Sequence, residues 1–248
     1  RFPVFEPGAG DVGLFESRAG VIRPEAAIGC ALDLAARAGA ELRFDEPVIA
    51  WHAGESITVR TGIGRVRVER LILAGGAWMA GSLPGVPLPL EVARQVLFWF
   101  EPRCDRAQLA PGRMPVFMWE WAPGEMFYGF PDLGDGIKVA IHHQGTPADP
   151  DTLRRTVDAK ESDRLRGVMA SRTPCFNGRL LDSAVCLYTN TPDRDFLIDR
   201  SPADRRVILA SPCSGHGFKF APAIGEVLAD LAEDRDPRFD LTPFRLGR

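Results

Sequence analysis

Three stretches of this 248-residue chain combine reactive side chains with a patterned setting. Ser214-Gly215-His216-Gly217-Phe218-Lys219 follows a strand-like run, Val207 to Ala210, and precedes an apolar helical repeat at Phe220, Ala223, Ile224, Val227 and Leu228. A strand-to-helix turn gathers backbone N–H groups and the positive end of a helix dipole, which favours an anionic or electron-rich ligand. Two glycines would let that ligand approach the backbone. The same pattern also describes a tight loop that caps a helix. Cys186 lies in Ser183-Ala184-Val185-Cys186-Leu187-Tyr188-Thr189, a strand closing on Thr191-Pro192-Asp193. A strand cysteine is either a small apolar residue or, as a thiolate, a nucleophile. Lys138 stands in Gly136-Ile137-Lys138-Val139-Ala140-Ile141-His142, where alternation puts Lys138, Ala140 and His142 on one face. Such a lysine either reaches water at a sheet edge or supplies a fixed positive charge. Ser214 and His216 also raise a serine hydrolase as a remote alternative, with no Gly-x-Ser-x-Gly to support it.

Cys186-Leu187-Tyr188-Thr189-Asn190-Thr191-Pro192-Asp193, then Asp195 to Asp199, then Ser214 to Lys219, resembles the closing part of the monomeric sarcosine oxidase and N-methyltryptophan oxidase family. These are FAD-dependent amine oxidases of the D-amino-acid-oxidase-like superfamily, and the resemblance extends over most of the chain. It implies that FAD is the cofactor, joined covalently through Cys186 to the 8-methyl carbon of its ring. Gly75, Gly76 and Trp78, together with Gly215, Gly217, Phe218 and Lys219, are implied to contact the flavin. Lys138 matches the lysine that promotes the reaction with oxygen, and Tyr128, His142, Tyr188 and His216 match active-site positions. Lys219, with Tyr128, is the candidate for holding the substrate carboxylate. The implied partners are a small secondary-amine or amino-acid substrate and O2, and the implied products are an imine or aldehyde and H2O2.

The elements that must position these residues are legible in part. Pro24 stands where a helix starts, Ala26 to Ala35 carry its apolar repeat, and Gly39 stands where it stops. Short strands are expected over Glu41–Phe44, Val48–His52, Ser56–Arg60 and Arg65–Glu69, with at most one short strand in the Gly- and Pro-rich first 20 residues. Arg70-Leu71-Ile72-Leu73-Ala74 reads as a parallel strand covered on both faces, breaking at Gly75-Gly76. A proline-rich connector over 84–89 leads to an antiparallel sheet: 95–100, 115–121, 126–130 and 136–142. Asp151 to Met169 reads as one or two surface helices, and a strand begins at Leu180. The fold class is α/β. Residues 20–90 and 193–248 are expected to form a partial FAD-binding, Rossmann-like lobe, and 1–19 with 91–192 an antiparallel-sheet substrate lobe.

Composition excludes several classes. The net charge of −3 and the absence of a basic stripe speak against nucleic acid and anionic membranes. Five scattered cysteines without a Cys-x-x-Cys pair argue against a disulfide scaffold or a metal site and fit a reducing, cytoplasmic setting. No Gly-x-Gly-x-x-Gly follows an early strand, so the N-terminal βαβ that cradles the FAD diphosphate is not found, and Pro212-Cys213 departs from the family pattern before Ser214. The chain is therefore expected to be the remainder of a longer protein whose missing N-terminal segment is a partner, and to be inactive or flavin-free by itself. A non-catalytic binding or assembly module retaining oxidase motifs is the alternative.

Overall fold

The computed structural model describes residues 2–82 and 87–248, so the connector expected over 84–89 lies partly outside the described residues. In chain order the elements are α1 (Pro24–Arg37), β1 (Val48–Ala53), β2 (Ile57–Thr61), β3 (Arg65–Val68), β4 (Leu71–Leu73), β5 (Glu91–Phe100), β6 (Phe117–Ala122), β7 (Glu125–Gly129), β8 (Ile137–His142), β9 (Thr146–Pro147), α2 (Ala159–Met169), β10 (Leu180–Asn190), β11 (Leu197–Arg200), β12 (Val207–Ser211) and α3 (Ala221–Ala232). The chain divides into two compact units. One comprises the N-terminal segment to Val21 and Val92–Tyr188, the other Ile22–Glu91 and Thr189–Arg248.

The first unit is built on a sheet of order β10-β5-β8-β7-β6, with β9 also paired to β5. Strand alternation separates its faces. Phe98, Phe100, Phe127, Ile137 and Val139 form a core with Leu165 and Met169 of α2 and with Phe176. Only Ala159–Met169 of the expected helical stretch is helical, begun by a capping box between Asp158 and Glu161. Residues 151–158 stay irregular because their backbone is held from the side: Arg94, 6% exposed on β5, donates Nε to the Arg154 carbonyl (2.8 Å) and Nη2 to that of Thr156 (2.8 Å), and its Nη1 pairs with Glu161 (2.6 Å). No strand forms in residues 2–20.

The cysteine reading is corrected here. Cys104 and Cys175 form a disulfide across 71 residues of sequence, with Cα atoms 5.4 Å apart. The backbone brings them together, Arg103 N–H donating to the Cys175 carbonyl at 2.7 Å, and a pairing of that span has no local spacing signature. Cys30, Cys186 and Cys213 are free thiols.

In the second unit, α1 begins on Pro24 and ends before Gly39, whose φ of +92° is a left-handed turn. β1, β2 and β3 form an antiparallel meander. The strand expected over Glu41–Phe44 does not form: Arg43 binds Glu41 locally at 2.7 Å and Phe44 projects into solvent. A second sheet has the order β11-β12-β4, and β4 runs parallel to β12 with Leu71–Leu73 beside Val207–Leu209. β4 is three residues long and not covered on both faces. Leu71 and Leu73 pack with Leu197, Val207 and Leu209, whereas Ile72 is exposed. Gly75 and Gly76, the latter at φ +55°, turn the chain into a 3-10 turn over Gly76–Gly81. The other side of β12 packs Ile208 against Ile198, Phe196 and the Val227 and Leu231 stripe of α3.

Candidate functional site

On the face of the first unit's sheet away from its core, β8 presents Lys138 and His142, β7 presents Tyr128, β5 presents Trp99, and β10 supplies Cys186 and Tyr188. The Lys138 ammonium lies 5.1 Å from the centre of the Trp99 ring and 5.3 Å from that of Phe130. Aromatic faces hold a cation there by quadrupole attraction. The Tyr188 hydroxyl reaches His142 Nδ1 at 3.3 Å and shares a hydrogen bond with Tyr128. Tyr128 and His142 meet edge to face, ring centres 5.9 Å apart. Burial pushes both phenols above their ordinary value of 10, Tyr188 very far above, and the mutual Tyr128–Tyr188 interaction adds to the rise at Tyr188. Both therefore stay protonated at neutral pH, and in the bond they share one hydroxyl donates and the other accepts. Burial also raises the Cys186 thiol, against a smaller lowering by the Lys138 charge.

Alternation missed one member of this group. His143 should point to the opposite face from His142, but the strand ends there and His143 takes φ +55°. That turn swings its ring back to 4.0 Å from His142 and 5.4 Å from Tyr188, centre to centre. A left-handed histidine is uncommon enough to mark a constrained position, and no strand periodicity could have signalled it.

In the second unit, β12 runs through the turn 212–217 into a 3-10 turn, Phe218–Phe220, and then α3. Ser214, fully buried, donates its hydroxyl to the Asp195 carbonyl at 2.6 Å and its N–H to the Thr189 carbonyl at 2.9 Å. His216 stacks on Phe196, ring centres 5.0 Å apart, and its Nδ1 meets the Ser214 backbone carbonyl, not the hydroxyl, at 2.9 Å. That removes the serine hydrolase reading, which needs a base on the hydroxyl. Lys219 donates Nζ to the His216 carbonyl at 2.8 Å and lies over the Phe220 ring, and desolvation lowers its pKa. Gly215 has φ +75° and is exposed together with Phe218. Gly217 is there for another reason: a Cβ on it would fall 1.6 Å from the Pro212 carbonyl oxygen. After β4, Gly76 turns the chain and Trp78 is 56% exposed.

Two polar atoms of this unit suit a ligand with its own donors and acceptors. Asn190 Oδ1 at the end of β10 is buried without a partner, and Ser211 Oγ at the end of β12 has nothing closer to a hydrogen bond than the weak Cys213 thiol. β12 runs parallel to β4, and the carboxyl ends of parallel strands are the usual ligand crevice; buried atoms like these two are costly unless a ligand or water completes them. The residues present fit FAD, a large heteroaromatic and polyhydroxyl group.

One unit carries the parallel β4–β12 pair and the other an antiparallel sheet with a cationic, aromatic face. The family model of FAD dependent oxidoreductases matches residues 1–231, and the chain belongs to that family. It is 39% identical to the monomeric sarcosine oxidase of Streptomyces avermitilis over 237 residues, 94% of this chain and 62% of the relative. It is 36% identical to the N-methyl-L-tryptophan oxidase of Salmonella arizonae over 255 aligned positions, 100% of this chain and 66% of the relative. The chain thus spans a little under two thirds of these relatives' length. Among solved structures, the amino acid oxidase NikD in its open form superposes with a TM-score of 0.73 at 22% identity, over 90% of this chain and 59% of that one. Glycine oxidase from Geobacillus kaustophilus gives 0.70 at 24% identity, over 86% and 55%. Both share the fold.

Proposed function

We propose that the protein is an FAD-dependent oxidase of secondary amines or N-methyl amino acids. Such an oxidase converts R–CH2–NH–R′, O2 and water into an aldehyde, the primary amine and H2O2. The observation that carries this reading is the aromatic and hydrogen-bonded group of Lys138, Tyr128, His142 and Tyr188 on one sheet face, in a chain 39% identical to a sarcosine oxidase. Residues 22–91 with 189–248 serve as the cofactor-binding part and the first unit as the substrate-binding part. The segments proposed to hold FAD are Cys186, as covalent anchor, Gly75 to Trp78, and the 214–219 turn. Bound FAD would accept two electrons from the amine and pass them to oxygen.

The chain's own residues set the conditions for that chemistry. The Lys138 ammonium already occupies this half-buried face, and a second positive charge beside it is disfavoured, so the amine binds neutral with its lone pair available. Tyr188, hydrogen-bonded to His142, and the Tyr128 ring edge-on to it fix the orientation of the imidazole. Lys138, seated on two aromatic rings, stabilises negative charge as it develops on oxygen. Lys219 is the proposed point-charge partner of a substrate carboxylate, which requires it to leave the His216 carbonyl. Any polypeptide outside these 248 residues that completes the cofactor site is a further partner in this reading.

The covalent anchor is tested by acid precipitation of the intact natural polypeptide. The parent is expected to retain yellow colour in the pellet, and Cys186→Ser to release it to the supernatant. A Cys186→Ser pellet that stays yellow places the anchor elsewhere.

A further inference from the structure

Gln95 is 4% exposed, and its carboxamide nitrogen is buried without a hydrogen-bond partner. Alternation along β5 places it on the face of Trp99, whose ring carries Lys138, and away from Arg94, Phe98 and Phe100, which face α2 and the core. β5 lies between β10 and β8 in the sheet. Tyr188 of β10 and His142 of β8 meet at 3.3 Å, so their hydrogen bond bridges the strand that carries Gln95. The amide nitrogen is located further by Gly145, three residues beyond His142: a Cβ there would lie 2.6 Å from Gln95 Nε2 and 2.2 Å from the Arg94 carbonyl oxygen. The carboxamide is therefore packed beside the histidine turn, on the floor of the candidate site.

A buried N–H donor with no acceptor costs stability, and replacing it by an apolar group of the same shape is neutral or stabilising. Keeping one on a site face implies that something else supplies the acceptor. We propose that Gln95 is a ligand-binding residue of this site, its N–H2 group donating to an oxygen acceptor of the bound amino-acid substrate, the carboxylate in first place. This rests on the amine-oxidase reading above.

The proposal predicts that stability and affinity move in opposite directions. In the intact natural polypeptide supplied with FAD, Gln95→Leu should melt at or above the parental temperature, yet bind N-methylglycine about tenfold or more weakly in equilibrium dialysis. Its KM should rise in step while kcat changes less. Gln95→Glu keeps the shape but turns the donor into an acceptor, and should bind the carboxylate more weakly still. Should Gln95→Leu bind N-methylglycine within twofold of the parent, the assignment is overturned. A lowered melting temperature in both variants with unchanged affinity would also overturn it, leaving Gln95 a packing residue. If the parent binds no N-methyl amino acid at all, the amine-oxidase reading fails and Gln95 with it. Equal binding by a competent parent and its variants condemns Gln95 alone.

Discussion

Gly215 and Gly217 share a motif and serve different ends. Gly215 is glycine because of its backbone, φ +75°. Gly217 has an ordinary helical backbone and is glycine because the Pro212 carbonyl occupies the place of a side chain. Gly217→Ala should therefore destabilise the protein by about 3 kcal/mol or more, the upper range for a forced overlap, whereas its effect on a ligand would follow only from the displaced turn. Urea denaturation measures the loss, and an unchanged midpoint would mean that the turn has room to move. Lys138 carries the proposed reaction with oxygen. If its ammonium stabilises charge on oxygen, Lys138→Met should slow reoxidation of the reduced flavoprotein on the order of a hundred- to a thousand-fold. Reduction by amine should suffer far less. Stopped-flow absorbance follows both half-reactions, and the reverse pattern would move Lys138 to amine binding. Strand alternation put Lys138 and His142 on one face, and the family resemblance singled out Tyr128, His142, Tyr188 and the role of Lys138. His143 and Gln95 were hidden, one by a left-handed turn and the other because a glutamine in an apolar strand has no pattern of its own.

At the scale of elements, side-chain clamps explain what periodicity could not show. Helix α1, the β1–β2–β3 meander and the β5 to β8 ladders follow from Pro24, from alternating Val and Ile, and from aromatic runs. The irregular 151–158 segment, the missing strand at 41–44 and the Cys104–Cys175 bridge depend on partners distant in sequence or on local ion pairs. Arg206 is another such clamp. It donates to the Gly54 carbonyl at 2.7 Å and the Glu55 carbonyl at 2.9 Å, fastening the β1–β2 turn to the start of β12, and it is oriented by Asp204 at 2.7 Å. The Arg206 side chain is the main reason the Asp204 carboxyl is lowered to about 2 from its ordinary 3.8. A carboxylate whose folded pKa is depressed contributes stability that is fully present above its unfolded value and is lost as pH falls through the folded one. Acid titration of the urea midpoint should therefore decline between about pH 4 and pH 2, and Asp204→Asn should flatten part of that decline while lowering the midpoint at pH 6. Identical slopes in parent and variant would show that the pair contributes nothing.

For the molecule as a whole, fold and chemistry were unequally visible. The motif at 214–219 and the Cys186 strand are local in sequence and carried the family, which the match over residues 1–231 shows. In the proposed reading the choice of amine would depend on side chains gathered from separate strands, and one such as Gln95 acquires meaning only when β10, β5 and β8 lie side by side. The central claim is that an amine delivers electrons through FAD to oxygen in this protein. It is tested most directly by mixing the intact natural polypeptide, loaded with FAD, with N-methyl amino acids in the absence of air. The account predicts that the oxidised-flavin absorbance bleaches in a single turnover, and that admitting oxygen restores it with one H2O2 per amine consumed. A flavin band that stays unbleached by every secondary amine offered, in a protein that holds its FAD, would contradict the account.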